Sequence, residues 1–218
     1  MSIFAGLLDP RIAIVERAIG DGLAASFPEE EAAVAPAVAK RRREFLAGRN
    51  AAHDALAKLG APRKPLLPGP DRMPLWPAGY VGSITHTDCH CAVAVGRADD
   101  GVRAIGIDLE PAETLPPGVL ETIGRAEEIA WLQSAARNER DLLARALFSA
   151  KECTFKCQFP VTREMLEFED LSIEIDLRAE TFKATFERDA GEFPRGHTAR
   201  GRIRVANGLL ASAIALYC

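Results

Sequence analysis

The chain has 218 residues, of which 48% are hydrophobic and 27% are charged, a balance that is typical of a folded globular protein and excludes a disordered one. Its formal net charge of −4 excludes a general attraction to nucleic acid or to anionic membranes, so any basic site must be local. No stretch approaches the roughly 18 apolar residues of a membrane span, and acids and arginines interrupt the N-terminal segment where a signal peptide would be apolar. We therefore expect a cytoplasmic protein without a transmembrane segment.

Five cysteines are few for a chain of this length, and an odd number cannot all be paired, so they do not indicate a disulfide framework. They suit a reducing compartment. The segment HTDCHC offers histidines and cysteines, but in a strand His86 and His90 would share one face while Cys89 and Cys91 take the other. No second ligand pair has zinc-finger spacing. We therefore do not expect a zinc site.

The first predicted element is a helix over about Val38–Leu59, with apolar residues at helical spacing and a glycine and a proline after its last turn. Its first turns hold the basic run KRRR, Lys40–Arg43, and Arg49 follows. Arg42 and Arg49 are seven residues apart, so we expect them on one face. By itself this run indicates either a solvated helix face or a weak nucleic-acid patch.

A loop rich in proline and glycine follows, RKPLLPGPDRMPLWPAG, which neither a helix nor a central strand could include. Next come a hairpin of the strands YVGSIT and CHCAVAVGR and, after a DDG turn, the strand VRAIGIDLE. Helices are then predicted near Val119–Ala136 and Glu139–Cys157. Four strands complete the chain, LSIEIDL, TFKATFE, TARGRIRVA and LLASAIALY.

A long helix followed by several strands therefore occurs twice along the chain. It predicts an α+β fold of two similar halves with pseudo-two-fold symmetry, each an antiparallel sheet packed against a long helix. The segment PAETLPPG interrupts both the strand and the helix period, so we place the boundary there, between an N-terminal half of residues 1–112 and a C-terminal half of residues 113–218. An active site at the seam between the halves would include the acids that end VRAIGIDLE.

Those acids are Asp108 and Glu110. In an extended strand they point to one side, with their backbones roughly 6.5 to 7 Å apart. The ordinary interpretation of such a pair is a solvated strand end. The apolar residues before them favour instead a central strand that opens on a cleft, where carboxylate oxygens suit Mg²⁺ with waters and substrate phosphates.

A third acid, Glu152, lies in the predicted helix and shares a face with Lys156. Alone, this pair is most simply an exposed salt bridge of about a few tenths of a kcal/mol, and the neighbouring Lys151 is most simply solvated. His86, at the end of the strand YVGSIT, is either a structural histidine or a donor to a phosphate.

The order of these motifs is more informative than any one of them. The segments FLAGR, RMPLWP, GSITH, GIDLE and FSAKECTFK follow one another along the chain, and this order resembles the 4′-phosphopantetheinyl transferases. The resemblance is to the longer, pseudo-dimeric type that activates siderophore and peptide synthetases, including the enterobactin-synthetase component. That family is marked by a G-x-D-x-E strand and a (W/F)-x-x-K-E-x-x-x-K helix, which are here Gly106–Glu110 and Phe148–Lys156. The resemblance is good over about Arg41 to Lys156, and it covers the later strands only by general pattern.

The resemblance implies an enzyme that moves the 4′-phosphopantetheine arm of coenzyme A to a serine of an apo acyl, peptidyl or aryl carrier protein and releases 3′,5′-adenosine diphosphate. It implies Mg²⁺, with Mn²⁺ as an alternative, and a monomer that serves siderophore, nonribosomal peptide, polyketide or fatty acid biosynthesis. Because carriers are commonly acidic helical bundles, we expect an apolar patch with basic neighbours in the second half or at the seam.

The same resemblance assigns the acids. Asp108, Glu110 and Glu152 would hold the metal ion, which neutralises charge on the diphosphate. Glu152 is the expected base for the serine, directly or through a metal-held water, with Glu110 as its competitor. Lys156 would contact a phosphate or help the proton transfer.

The resemblance also assigns the groups that bind coenzyme A. His86 would donate to one of its phosphates, and Thr85 keeps the hydroxyl that the family usually carries as serine. Arginine forks match phosphate oxygens, so the 3′-phosphate and the diphosphate are expected at a set of cations. These are Arg42, Arg49, Arg72, Lys151 and Lys156.

Two other functions stay open at this point. Another Mg²⁺-dependent phosphotransferase or phosphodiesterase would use the same three acids on a different substrate. A nucleic-acid-binding module would use the residues from Lys40 to Arg49 and bind with strong salt dependence. Since interleaved aromatic residues and a basic overall charge are missing from the sequence, we expect no nucleic-acid partner.

Overall fold

The computed structural model describes residues 2–218, which form two compact units. The N-terminal unit comprises Asp9–Ile105 with Tyr217–Cys218, and the C-terminal unit comprises Gly106–Leu216 with residues 2–8. The sequence predicts the boundary after the strand VRAIGIDLE, between residues 112 and 113. In the structure the division between the two units lies within that strand, between Ile105 and Gly106. Two antiparallel sheets with long helices confirm the predicted α+β fold.

The N-terminal unit contains a three-stranded antiparallel sheet and two helices. Its strands are β1 (Ala13–Ala18), β2 (Tyr80–His86) and β3 (His90–Arg97), in the order β1-β3-β2. Its helices are α1 (Pro28–Val34) and α2 (Ala39–Lys58). The predicted basic helix and the predicted hairpin are both present.

Small residues allow α2 to approach its sheet closely. Ala52 and Ala55 are fully buried and pack in one cluster with Val93 of β3. At Gly48 a Cβ atom would lie 3.0 Å from the Cγ2 atom of Ile84. The core of this unit is therefore a close contact between one face of α2 and the sheet.

The C-terminal unit contains a five-stranded sheet in the order β4-β8-β7-β6-β5. Its strands are β4 (Val102–Pro111), β5 (Leu171–Asp176), β6 (Thr181–Phe186), β7 (Thr198–Ala206) and β8 (Leu209–Tyr217). The first four residues of β4 and Tyr217 of β8 are counted in the N-terminal unit. Its helices are α3 (Val119–Ile123), α4 (Ala126–Ser134) and α5 (Arg137–Thr162). Strands β5 to β8 pair with their neighbours in antiparallel register, as the alternating sequence pattern predicts.

The prediction of one helix over Val119–Ala136 is wrong. The chain is extended at Gly124, where ψ is 134°, and α3 and α4 lie on either side. A Cβ atom at Gly124 would be 2.8 Å from the Cγ1 atom of Ile129. The side chain of Glu128 then caps α4, because the Arg125 backbone N–H donates to Glu128 Oε2 at 2.9 Å.

Helix α5 is longer than predicted. It continues beyond Cys157, includes Pro160 and ends at Thr162, where Arg163 takes the left-handed conformation with φ of 59°. None of the helices within residues 2–218 combines the length and the apolar character that crossing a membrane requires.

Candidate active site

Gly106 begins the G-x-D-x-E segment and lies directly against α5. A Cβ atom at Gly106 would be 2.0 Å from the carbonyl oxygen of Cys153 and 2.9 Å from the backbone nitrogen of Cys157. The Cys153 thiol donates to the Gly106 carbonyl oxygen at 3.2 Å. Because glycine has no side chain, the backbones of β4 and α5 touch at this point. This contact fixes the strand that carries Asp108 and Glu110 against the helix that carries Glu152.

Asp108 is buried in β4, with 3% of its surface exposed. Lys156 of α5 donates from Nζ to Asp108 Oδ1 at 2.5 Å. Burial alone would lower the pKa of Lys156, but the charge of Asp108 and this hydrogen bond raise it above its ordinary value. Lys156 is therefore a cation at neutral pH, and the pair joins β4 to α5.

Glu110, on the same strand, is paired with Arg145 of α5. Arg145 Nη1 donates to Glu110 Oε2 at 2.8 Å, and its other donors reach the carbonyl oxygens of Glu113 at 3.0 Å and Thr114 at 2.8 Å. Burial and the charge of Asp108 raise the pKa of Glu110 to about 7, although Arg145 opposes this shift. Glu110 is thus a carboxyl group that exchanges its proton near neutral pH.

Glu152 lies on α5, about one turn before Lys156. Burial raises the pKa of Glu152, Lys156 opposes the shift, and the charge of Asp108 adds to it. The side chain borders a cavity of about 160 Å³ whose other walls are mainly apolar. These walls are formed by Lys151, Phe155, Met165, Leu166, Glu167, Phe168 and Leu171. A substrate group in this cavity would therefore meet a carboxyl group at the edge of an apolar surface.

The three acids offer the hard oxygen donors that Mg²⁺ binds. The charge of Asp108 reaches both Glu110 and Glu152, since it raises the pKa of each. Within residues 2–218, however, no three acidic, histidine or cysteine side chains are grouped closely enough to hold a metal ion in this conformation. One oxygen of Asp108 is bound by Lys156, and one oxygen of Glu110 by Arg145. The donor chemistry fits a divalent cation, but the carboxylates would have to turn towards such an ion to hold it together.

A second group of charged residues surrounds a cavity of about 500 Å³ in the N-terminal unit. The end of α1, one face of α2, the loop before β2 and the end of β2 line it. Its charged and aromatic lining residues are Arg41, Glu44, Phe45, Arg49, Arg72 and His86. The cavity contains four basic side chains against one acid, so it suits an anionic ligand.

Arg49 is the most buried of these cations, with 6% of its surface exposed. Its Nε donates to the Leu66 carbonyl oxygen at 2.7 Å, and its guanidinium carbon lies 4.3 Å from the centre of the Phe45 ring. Burial lowers the pKa of Arg49 to about 10, so the group stays charged at neutral pH. Within residues 2–218 no carboxylate forms an ion pair with it, and an anion in the cavity would supply the missing partner.

Arg72 reaches the same cavity from a tight loop. Its backbone is left-handed, with φ of 65°, and its N–H donates to the Gly69 carbonyl oxygen at 2.9 Å. An isolated β-bridge between Pro68 and Pro74 closes the loop. The proline-rich segment is therefore an ordered support for one cation.

His86 completes the cavity at the end of β2. Arg41 Nη1 donates to His86 Nε2 at 3.1 Å, and Glu44 Oε2 lies 3.8 Å from the same nitrogen. Arg41 and Glu44 are themselves 3.7 Å apart. These contacts hold the imidazole at the cavity wall, where Arg41 supplies a neighbouring positive charge.

Comparison with known proteins assigns the chain to a family. A model described as the 4′-phosphopantetheinyl transferase N-terminal domain matches residues 29–96, and a model of the 4′-phosphopantetheinyl transferase superfamily matches residues 104–205. The 4′-phosphopantetheinyl transferase Svp of Streptomyces mobaraensis is 40% identical over 98% of this chain and 89% of its own length. The chain belongs to the 4′-phosphopantetheinyl transferase superfamily.

The transferase is also similar to two further relatives. The 4′-phosphopantetheinyl transferase PptT of Mycobacterium tuberculosis is 39% identical over 87% of this chain and 86% of its own length. Enterobactin synthase component D of Salmonella typhimurium is 36% identical over 54% of this chain and 48% of its own length. The predicted family and its longer, two-halved type are therefore confirmed.

The predicted site residues of the transferase fall into two groups. In the C-terminal unit, Asp108, Glu110, Glu152 and Lys156 interact with one another by contact or by charge. In the N-terminal unit, Arg49, Arg72 and His86 line one cavity. Three predicted residues, Arg42, Thr85 and Lys151, lie outside these two groups.

Arg42 does not line the cavity, contrary to the expectation from its spacing to Arg49. It forms an ion pair with Glu31 of α1 instead. Arg41, the residue before it, reaches the cavity and His86. Helical spacing alone could not separate the two arginines, because the acid that captures Arg42 belongs to another helix.

Lys151 is neither solvated nor free to bind a phosphate. It is 1% exposed, and its Nζ donates to Ile123 O at 2.8 Å, Glu128 Oε2 at 2.7 Å and Phe168 O at 2.8 Å. An ammonium group has three donors, and all three are used. Lys151 therefore anchors α3, α4 and the segment before β5 to α5. This finding corrects both predictions for Lys151, that it is solvated and that it binds coenzyme A.

Thr85 is buried, with 3% of its surface exposed. Ile84 and His86 line the cavity, and neighbouring residues of a strand point to opposite faces. The Thr85 side chain therefore faces away from the cavity in which it was expected.

Arg145 is the residue that the sequence interpretation missed in the C-terminal unit. The helical spacing could have indicated this residue, because Arg145 precedes Glu152 by two turns of the same helix and so lies on the same face. An arginine at such a position is ordinarily a solvated charge, and only the fold shows that it binds Glu110.

Proposed function

We propose that this transferase takes coenzyme A as donor and a serine of an apo carrier protein as acceptor, with Mg²⁺ as its metal ion. The observation that carries the proposal is the cluster of Asp108, Glu110, Glu152 and Lys156. In it Glu110 and Glu152 have raised pKa values, and Lys156 is a cation fixed on Asp108. Such a cluster suits the transfer of a phosphate-linked group, because it combines a base with groups that hold negative charge.

The cavity of the N-terminal unit supports coenzyme A as the donor. Arg49 is a buried cation without a carboxylate partner in the described chain, and Arg41, Arg72 and His86 surround the same space. Coenzyme A carries a 3′-phosphate and a diphosphate, which match guanidinium forks. We assign Arg41, Arg49, Arg72 and His86 to these phosphates, whereas Arg42, Thr85 and Lys151 do not line this cavity.

In the reaction the carrier serine oxygen forms a bond to the β-phosphate, and the bond from that phosphorus to the leaving 3′,5′-adenosine diphosphate breaks. Glu152 accepts the serine proton, because its carboxyl group faces a cavity and its raised pKa favours proton uptake. Glu110 is the weaker candidate, since Arg145 holds one of its oxygens. Lys156 keeps a positive charge beside Asp108, where it can contact a phosphate oxygen.

Asp108, Glu110 and Glu152 would hold the Mg²⁺ ion, which when bound offsets negative charge on the diphosphate. The chain's own residues then orient the reactants and exclude water. The apolar walls near Glu152 suit the pantetheine arm, because Phe155, Met165 and Leu166 offer it apolar surface.

For the acceptor we propose a carrier of the acyl, peptidyl or aryl type. Similarity to the enterobactin synthase component supports a carrier of a siderophore or peptide synthetase. We further propose that the protein is a monomer. We place it in the cytoplasm because all five cysteines are unpaired thiols, which suit a reducing compartment.

The basic start of α2 does not favour nucleic acid as a partner. Lys40 pairs with Asp88 at 2.6 Å, Arg43 pairs with Asp21 at 3.4 Å, and Arg42 pairs with Glu31. These ion pairs reduce the positive charge that a phosphate backbone would meet.

The donor and the metal ion are tested by measuring release of 3′,5′-adenosine diphosphate in the presence of an apo carrier. We expect release with coenzyme A and Mg²⁺, little release after chelation with EDTA, and weaker binding of dephospho-coenzyme A, which lacks the 3′-phosphate. Equal affinity for coenzyme A and dephospho-coenzyme A would contradict the assignment of the arginine cavity.

A further inference from the structure

Glu30 of α1 is an acid that the proposed reaction does not use. It is fully buried, with 0% of its surface exposed. His53 donates from Nε2 to Glu30 Oε1 at 2.6 Å, and the ring of His53 packs on Phe27 with their centres 5.1 Å apart. The carboxyl group is thus held in one place beneath the surface of the N-terminal unit.

The same oxygen anchors the backbone of one residue, Leu66, in the proline-rich loop. Leu66 is fully buried, and its N–H donates to Glu30 Oε1 at 2.8 Å. The Leu66 carbonyl oxygen accepts the Nε–H of Arg49 at 2.7 Å. The backbone of one residue, through its N–H on one side and its C=O on the other, therefore connects the buried acid to the buried cation of the anion cavity.

This connection determines which atoms Arg49 offers to a ligand. Leu66 holds the guanidinium at Nε, and the Phe45 ring lies 4.3 Å from its central carbon. In the described part of the chain, no other hydrogen bond or ion pair engages the guanidinium. The two Nη groups are left for an anion in the cavity, and their direction follows from the position of the Leu66 carbonyl group.

We propose that Glu30 is a positioning residue for the binding of coenzyme A. By holding the backbone of Leu66, Glu30 positions Arg49 so that its Nη groups face a phosphate. This inference rests on the proposed function, because it takes coenzyme A as the anion. Helix α1, which carries none of the residues that take part in the proposed reaction, would thereby contribute to the binding of coenzyme A.

The two oxygens of Glu30 have different surroundings. Its second oxygen, Oε2, is buried and has no hydrogen-bond partner within residues 2–218, which costs free energy. An apolar side chain would remove this cost, but it would leave the buried Leu66 N–H without its acceptor. The position of Oε1, between the Leu66 N–H and His53, is what only an acceptor at this site supplies.

The test measures binding of coenzyme A to the full chain by calorimetry in EDTA, together with KM and kcat in Mg²⁺. E30A and E30L remove the acceptor, and E30L keeps the core filled if E30A does not fold. E30Q keeps an oxygen for the Leu66 N–H. E29A is the matched control, because Glu29 is an exposed acid of the same helix.

We expect the dissociation constant of coenzyme A to rise about tenfold in E30A or E30L, because a hydrogen-bonded charge contact is weakened. E30Q and E29A should stay within about twofold of the original protein, and in the four single variants at positions 29 and 30 kcat at saturating coenzyme A should be unchanged. The double variant E30A/R49A should bind no more weakly than R49A alone, because Glu30 acts through Arg49.

Unchanged affinity in a folded E30L variant would overturn the inference, as would effects of E30A and R49A that add fully in the double variant. A lowered kcat with an unchanged KM would also overturn it. If the original protein itself does not bind coenzyme A, the proposed function fails, which is a separate outcome from a failure confined to the Glu30 variants.

Discussion

Glu110 and Glu152 carry the same functional group and both have a raised pKa, but their surroundings differ. Arg145 binds one oxygen of Glu110 at 2.8 Å and ties it to the turn after β4. Glu152 instead borders a cavity that a substrate group can enter. The fixed carboxyl group suits a structural or metal-binding role, and the one at the cavity suits proton transfer.

The substitution E152Q tests this division of roles. It keeps the shape of the side chain and removes its capacity to accept a proton, so we expect kcat to fall by about 100-fold or more. E139Q is the matched control, because Glu139 is an exposed acid near the start of the same helix. Near-normal turnover of a folded E152Q variant would show that the base lies elsewhere.

The raised pKa of Glu110 predicts how stability depends on pH. Its ordinary pKa is 4.5 and its value in the fold is about 7, so the folded protein holds this proton more tightly than the unfolded chain. The stabilisation is present below pH 4.5 and is lost as the pH rises through about 7. Relative to E110Q, the protein should lose roughly 1 to 3 kcal/mol of unfolding free energy across this range.

Urea unfolding of both proteins in EDTA at several pH values measures this difference. The other titrating groups are shared by the two proteins, so their contributions cancel. A constant difference between pH 4.5 and about 7 would contradict the raised pKa of Glu110.

Arg41 and Arg42 form a matched pair for testing the anion cavity. Arg41 lines it and binds His86, whereas Arg42 is held by Glu31. We expect R41A to weaken coenzyme A binding about tenfold and R42A to change it less than about twofold, because only the first removes a charge from the cavity. Calorimetric titration of both variants is the measurement, and a larger loss in R42A would reverse the assignment.

At the scale of elements, the contact between β4 and α5 holds the acid cluster together. Gly106 lets the strand touch the helix backbone, and the Asp108–Lys156 pair joins the same two elements. The glycine of the G-x-D-x-E motif therefore has a packing role, distinct from the chemistry of the two acids that follow it.

The substitution G106A should separate these elements. Its Cβ atom would lie 2.0 Å from the Cys153 carbonyl oxygen, which is backbone and cannot move without α5. We expect a loss of about 3 kcal/mol or more in unfolding free energy, the upper range for overpacking. G20A is the control, since no atom lies within 4 Å of the position of its Cβ. Equal stability of the two variants in urea would contradict the close packing.

Sequence patterns predicted the long elements better than the short ones. The basic helix, the hairpin and the last four strands were predicted because their apolar periods extend over many residues. Strand β1 has a short and partly charged pattern, and α1 has only seven residues, so neither gave a clear signal. The extended backbone at Gly124 was missed because a glycine within a helical pattern does not by itself indicate a break.

At the scale of the whole molecule, the order of motifs predicted the family, and membership was confirmed by relatives that match most of the chain. The acids and the cavity residues Arg49, Arg72 and His86 were predicted by their motifs. The roles of Lys151, Arg42 and Arg145 were not, because each depends on a partner that is distant in sequence, such as Glu128, Glu31 or Glu110. Sequence spacing describes one element at a time and cannot show these partners.

The most direct test of the proposed transfer is the intact mass of an apo carrier protein after incubation with this enzyme, coenzyme A and Mg²⁺. We predict a gain equal to one phosphopantetheine group on a carrier from a panel of acyl, peptidyl and aryl types. A carrier whose acceptor serine is replaced by alanine should show no gain. An unchanged mass for every carrier of the panel, with a folded enzyme that binds coenzyme A, would contradict the account.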